Sequence, residues 1–277
     1  MADVYLISGF LGAGKTTLIQ KLLSETLAGR RVALIENDFG EISVDAALLK
    51  TGGVEVREIN SGCICCSLYG DFVRAIGELI SRWQPEVILI EPSGVAKLSD
   101  VAKACADPAL TQQMRLRAKI VVADVRRCRV YLHNFGEFYA DQIDHADTIV
   151  LSRCGEYAEQ AEAVKLLAAR NSAARIFSRP WDELSAAEIL DGSAPAAEQA
   201  EAAPEKPASV GPAHSPGHEA HSHEHGHSHA HSHAHSHAAA DVFTSLTLRT
   251  DRVFSEQELR DGFERLDGLS GAVLRAK

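Results

Sequence analysis

Gly9-Phe-Leu-Gly12-Ala13-Gly14-Lys15-Thr16 fits the pattern G-x-x-x-x-G-K-[ST], directly after the apolar run Val4–Ser8 and directly before an apolar stripe of helical spacing. That context leaves few folds open. Successive backbone N–H groups must turn inward around an anion, along a concave path that side chains at Gly9, Gly12 or Gly14 would obstruct. A helix opening at the loop adds the partial positive charge of its N-terminus. In such a loop Lys15 is placed to span the outer phosphates of a triphosphate and the Thr16 hydroxyl to ligate Mg²⁺. The backbone from Gly9 through Gly12, Ala13, Gly14, Lys15 and Thr16 to Thr17 lines the phosphates. A chance glycine-rich turn is the competing reading, and the strand before and helix after it argue against that.

The rest of the N-terminal part alternates in the matching way. Runs rich in Val and Ile recur at Arg31–Glu36, Val87–Ile90, Ile120–Val125 and Thr148–Ser152, with segments between them long enough for a helix each, and Ala174–Ser178 reads as a further strand. This predicts an α/β fold with a mostly parallel central sheet flanked by helices. Leu18, Ile19, Leu22, Leu23 and Leu27 form a helical stripe that Gly29 can end, Phe72, Ile76, Leu79, Ile80 and Trp83 form a second, and Trp181–Leu190 reads as a last helix. The strand Val87–Ile90 runs into Glu91-Pro92-Ser93-Gly94 and resembles a Walker B strand with an acidic end. This adds Glu91 to Lys15 and Thr16 as a candidate catalytic residue. The alternative is an ordinary buried strand that ends in an exposed Glu.

With 277 residues and 45% apolar content, the chain can bury one sizeable core and leave material for a smaller unit. A net charge of -10 argues against a nucleic acid or an anionic membrane as partner, because phosphate would be repelled, and favours cationic partners. No run approaches the roughly 20 apolar residues of a membrane span, and the chain enters its first strand without a basic leader, so a cytoplasmic location is expected. From Asp191 the composition shifts to Ala, Glu and Pro, which cannot offset the entropy of ordering. Residues 191–240 therefore read as a disordered linker between a domain at 1–190 and a unit at 241–277. In that unit Val242–Arg249 alternates like a half-buried strand, Ser255 can cap a helix over Glu256–Leu266, and Ala272–Ala276 looks like a strand start, giving a small, incomplete α+β unit.

Metal chemistry appears twice. Six cysteines are too sparse for a disulfide scaffold, yet Gly62-Cys63-Ile64-Cys65-Cys66 packs three thiols into four residues. Such a soft cluster suits Zn²⁺ or a similar transition ion, with water, a carboxylate or a tail histidine as the missing ligand. In the linker, His221, His223, His225, His227, His229, His231, His233, His235 and His237 occupy alternate positions. Most are neutral imidazoles at pH 7 and can bind several ions loosely and fast, a function-free spacer being the alternative. His133, His145, Cys105, Cys128 and Cys154 are isolated and read as packing or surface residues.

Taken together, GFLGAGKTT at 9–17, Glu36-Asn37-Asp38-Phe39-Gly40-Glu41, Gly62-Cys-Ile-Cys-Cys66 and Glu91-Pro-Ser-Gly94, in that order, resemble the CobW-type metallochaperone GTPases over about residues 3–190. The tail at 242–267 resembles the start of that family's smaller C-terminal domain. The resemblance implies a P-loop NTPase fold of the SIMIBI class and hydrolysis of GTP with Mg²⁺. It also implies Zn²⁺ or Co²⁺ carried at the C-x-C-C motif to a client metalloprotein, with a homo-oligomer left open. It makes Cys65 and Cys66 the leading metal ligands, joined by Cys63 and by Glu36 as the carboxylate. Two departures stand out. After the Thr148–Leu151 strand, Ser152-Arg153-Cys154-Gly155 replaces [NT]-K-x-D, so Arg153 can stack on a purine base beside Ser152 but no carboxylate at 155 meets the guanine N1 and N2 hydrogens. This leaves the choice between GTP and ATP open. The chain also stops at Lys277, where the family's C-terminal domain continues through further strands. Two other readings remain: a passive zinc or nickel buffer with vestigial hydrolysis, and an activator that inserts Co or Fe into a hydratase-like client.

Overall fold

The computed structural model describes residues 1–36, 69–155, 157–191 and 252–266. Among them, six parallel strands form one sheet: β1 (Ala2–Gly9), β2 (Val32–Glu36), β3 (Val87–Glu91), β4 (Met114–Asp124), β5 (Thr148–Ser152) and β6 (Arg175–Phe177), in the order β2-β3-β1-β4-β5-β6. The unbroken apolar runs noted in the sequence are strands covered on both faces, as a parallel sheet requires. Alternate residues of each strand face opposite layers. Tyr5 and Ile7 of β1, with Leu34, Leu89, Ile120 and Val122, meet α1 (Lys15–Glu25). Val4 and Leu6, with Ile35, Ile88, Ile90 and Val121, meet the opposite layer. That layer contains α2 (Tyr69–Trp83), α3 (Leu98–Cys105), α4 (Pro108–Thr111), α5 (Cys128–Asn134), α6 (Gly136–Asp144) and α7 (Gln160–Arg170).

Three boundaries differ from the sequence reading. The fourth strand begins at Met114 rather than Ile120. Its first half alternates Arg115, Arg117 and Lys119 with apolar residues, and those cations pair with Asp3 and Asp147, so this half stays strand although only one side is apolar. The helix expected over Trp181–Leu190 is shortened to α8 (Ala186–Leu190). Its start is set by a capping box in which Glu188 N–H donates to Ser185 Oγ (3.2 Å) and Ser185 N–H donates to Glu188 Oε2 (2.9 Å). The stripe of α1 outlasts its helix, which ends at Glu25 while Leu27 still packs into the core.

Downstream, α9 (Glu256–Leu266) starts after Ser255, with the same reciprocal bonds between Ser255 and Glu258. The expected strands at Val242–Arg249 and Ala272–Ala276 and the linker after Asp191 lie outside the described residues. Among the described residues, no helix is long and apolar enough to cross a membrane. The carboxyl ends of β1, β3, β4 and β5 lie side by side, and in open parallel sheets this is the edge where ligands bind.

Candidate nucleotide and metal site

At the end of β1 the chain has no room for a side chain at Gly9, whereas a Cβ at Gly12 would meet nothing within 4 Å. Gly9 adopts φ 143, and a Cβ there would lie 2.4 Å from the Val122 carbonyl oxygen of β4. The loop then closes with Ala13 N–H donating to the Phe10 carbonyl, and Gly14, at φ 109, passes the chain into α1 as a cap without a side chain. Lys15 is the first residue of that helix and is only 5% exposed, with Nζ 3.7 Å from Glu91 Oε1 at the end of β3. Thr16 is half-buried in the first turn, and Thr17 is exposed. Lys15, Thr16 and Glu91 are thus gathered at one place by β1, α1 and β3. Glu36 joins them from β2, because it is the register partner of Glu91 across the parallel pair. Two glutamates thus end neighbouring strands, whose backbones lie about 4.8 Å apart in a sheet, on the lysine side of the loop.

Ser152 and Arg153 close the other flank. Arg153 sits at φ 62, a left-handed conformation uncommon outside glycine. From there its guanidinium donates to Asp124 Oδ2 (2.9 Å), Ser152 Oγ (3.2 Å) and the Gly12 carbonyl in the phosphate-binding loop (3.4 Å). Asp124, the last residue of β4, also accepts from the Arg126 side chain and backbone (2.8 and 3.0 Å). Burial alone would raise the Asp124 carboxyl, but the hydrogen bonds from Arg126 and the charges of Arg153 and Arg126 outweigh it and hold it below the ordinary carboxylate value. Trp181 completes this side: its indole N–H donates to the Leu151 carbonyl (2.7 Å), and its ring edge lies 3.3 Å from where a Gly14 Cβ would stand.

Asp124 and Trp181 are the residues that sequence reasoning missed. Asp124 carried a readable signal, an acid closing a buried Val-Val-Ala run, the same signature that singled out Glu91. Trp181 had none, since its partners are distant in the chain. Cys63, Cys65, Cys66 and the histidines from His221 to His237 lie outside the described residues. Among the described residues, no group of three or more His, Cys, Asp and Glu side chains could hold a metal ion. Cys105, Cys128 and Cys154 are buried thiols, and burial pushes Cys105 up to about 12 and Cys128 up to about 11. They are packing residues rather than available thiolates.

Comparison with known proteins gives this constellation a context. The zinc chaperone YeiR of Escherichia coli (strain K12) is 32% identical over 162 residues, 58% of this chain and 49% of that protein. The zinc chaperone CobW of Sinorhizobium sp is 34% identical over 176 residues, 53% of this chain and 49% of that protein. The chain thus spans about half the length of these curated relatives. The structure of Zn(II)-bound YjiA GTPase from E. coli superposes with a TM-score of 0.53 at 26% identity, covering 69% of this chain and 61% of that one. The model of the CobW/HypB/UreG nucleotide-binding domain matches residues 3–177, from β1 to the end of β6, and the chain belongs to that family.

Proposed function

We propose that this chain is a GTP-hydrolysing metallochaperone: it binds Zn²⁺ as cargo at the Cys63, Cys65 and Cys66 cluster with Glu36, and hands the ion to a client metalloprotein under control of the nucleotide. The observation that supports this reading is that Glu36 is the register partner of Glu91, whose carboxylate lies beside Lys15, so that the proposed metal-binding glutamate and the residues proposed to handle the terminal phosphate belong to neighbouring elements. The zinc-chaperone relatives and the Zn(II)-bound structure support zinc as the cargo.

On this reading each side chain has a task. Lys15, held in the first turn of α1, stabilises negative charge that develops on the transferring phosphoryl group. The backbone amides of the Gly9–Thr16 loop and the N-terminus of α1 bind the inner phosphates. Arg153 stacks on the base from Ser152's strand end while its guanidinium is held by Asp124. The hydroxyl of Thr16 and the carboxylate of Glu91 are hard oxygen donors that suit Mg²⁺, and the ion would neutralise charge on the outer phosphates. The histidine tract serves as a loose reservoir for the same cargo, and Co²⁺ is a chemically compatible second ion at the thiolates.

The deciding experiment is phosphate release from GTP and from ATP, each with and without Zn²⁺. The proposal expects turnover of GTP that changes when Zn²⁺ is added. No hydrolysis of either nucleotide, or hydrolysis indifferent to Zn²⁺, would overturn it.

A further inference from the structure

Gln142 is a polar residue on an otherwise apolar face of α6, and it is completely buried. Its Nε2 donates to the carbonyls of both Gly94 (3.1 Å) and Ala96 (3.0 Å), in the loop that leaves β3 immediately after Glu91. Its Oε1 is buried without a hydrogen-bond partner. Two neighbours on α6 grip the same stretch of chain: Asp141 Oδ1 accepts from Ser99 N–H (3.0 Å), and Glu137 Oε1 accepts from Lys97 Nζ (2.6 Å). From the other side the loop is pressed against the phosphate-binding loop. A Cβ on Gly94 would lie 2.8 Å from Leu11 Cδ2 and 3.0 Å from the Leu11 backbone nitrogen, so the two loops touch backbone to backbone. The residue before Leu11 is tied to the same helical layer, with the Phe10 ring 4.5 Å from Tyr131, 5.2 Å from Phe135 and 5.9 Å from Tyr139 of α6.

We propose that Gln142 is a positioning residue for phosphoryl transfer: its amide fixes the Glu91–Lys97 segment against the phosphate-binding loop, so that α6 sets where Glu91 stands relative to Lys15. This rests on the hydrolase reading above. The chemistry favours a carboxamide at this place. Water is excluded, two carbonyls need donors, and a neutral group supplies both without burying a charge. Fixing the carboxylate of Glu91 from a packed element is the kind of support whose loss lowers turnover before it lowers binding. The unpartnered Oε1 adds that this amide is held for the donors it provides, with an acceptor left over for a backbone N–H if the loop shifts.

The test separates positioning from mere packing. Gln142→Met removes both donors at similar volume. The expected result is a fall in kcat for GTP of about tenfold or more, with Kd for GDP within about threefold of wild type, because a diphosphate is bound by Gly9–Thr16 and does not need this loop. Unchanged kcat, or a parallel fall in kcat and GDP affinity, would overturn the proposal. A second measurement on the unaltered chain guards against a variant that fails to fold. Hydrogen exchange in residues 92–99 and 136–145 is compared between GDP and a slowly hydrolysed GTP analogue. Protection gained together in both segments supports the clamp, and independent behaviour of the two rejects it. Absence of any turnover in the wild type removes the hydrolase reading instead, and the exchange comparison then decides the clamp alone.

Discussion

Removing the Lys15 ammonium takes away a buried positive charge aimed at the phosphate site while leaving the loop's backbone path, set by Gly9 and Gly14, untouched. Lys15→Ala is therefore expected to lower GTP turnover at least a hundredfold, the scale of losing one preorganised electrostatic partner, with thermal unfolding little changed. A colourimetric phosphate assay beside a melting curve checks both halves. Asp124 makes a prediction of a different kind. Its carboxyl is held below the ordinary value, so the stability it contributes is present above the unfolded-state pKa of about 3.9 and is lost as pH falls through the lower folded value. Asp124→Asn should thus be clearly less stable than wild type at pH 7, and the gap should narrow as pH drops below about 4; a gap that is constant from pH 7 to pH 3 would contradict the assignment. Base selection is the third case at this scale. Gly155 stands at φ 80, which Asp tolerates better than most residues, and its Cβ position has ordinary clearance, 3.5 Å from Pro180 Cγ. Gly155→Asp should restore the missing partner for the guanine 2-amino group and raise the preference for GTP over ITP by about 5-fold or more, the lower end of what one such buried hydrogen bond provides.

Among elements, α8 offers the cleanest case, because its start depends on one hydroxyl and one carboxylate and its Ala186 N–H also donates to Glu25 Oε2 of α1 (3.1 Å). Ser185→Ala should cost about 1 kcal/mol, or roughly 2–4 °C in Tm for a domain of this size, without altering nucleotide affinity; calorimetry and a GDP titration together test this. The same helix shows what could be read from the sequence and what could not. Strands β1, β2, β3 and β5 are legible because a strand buried on both faces is a simple apolar run, and α1 and α2 because a helix packed on a sheet carries a stripe. The first half of β4 hid behind Arg115, Arg117 and Lys119, whose cationic ends reach the half-buried Asp3 and the exposed Asp147 while the backbone stays in the sheet. Over Trp181–Ser185 the apolar Trp181 and Leu184 imitate the first turn of a helix, but the indole is fastened to Leu151 across the sheet and the helix waits for the Ser185-Ala-Ala-Glu188 cap. The site follows the same logic. Lys15, Thr16 and Glu91 sit in short motifs, and Asp124 closes an apolar run with Arg126 two residues on, whereas Gln142 and Trp181 act through partners dozens of residues away, a relation that spacing along the chain does not encode.

At the scale of the whole molecule the question is whether the metal and nucleotide sites act as one device. Glu36 ends β2 as the register partner of Glu91, and Cys63, Cys65 and Cys66 follow it in the chain before α2 begins. If the carboxylate beside Glu91 is also a zinc ligand, a change at the terminal phosphate alters the zinc site, and by linkage zinc must alter nucleotide affinity by the same factor. A working switch implies coupling of about 1–3 kcal/mol, or roughly 5–150-fold. The histidine tract would obscure this by binding ions of its own, so the measurement belongs on a chain lacking residues 214–237, which should lose loosely bound Zn²⁺ while keeping one tight thiolate-dependent site. Competitive chelator titrations in the GDP and GTP-analogue states should then give Zn²⁺ affinities that differ at least 5-fold. Cys65→Ser/Cys66→Ser should abolish the tight site altogether. Glu36→Ala should keep a weakened site but erase the difference between the two nucleotide states, because the ligand that senses the phosphate is gone and the thiolates remain. Equal affinities in both states of the unsubstituted protein would instead leave the chain a passive zinc buffer, with nucleotide and metal bound side by side and neither informing the other.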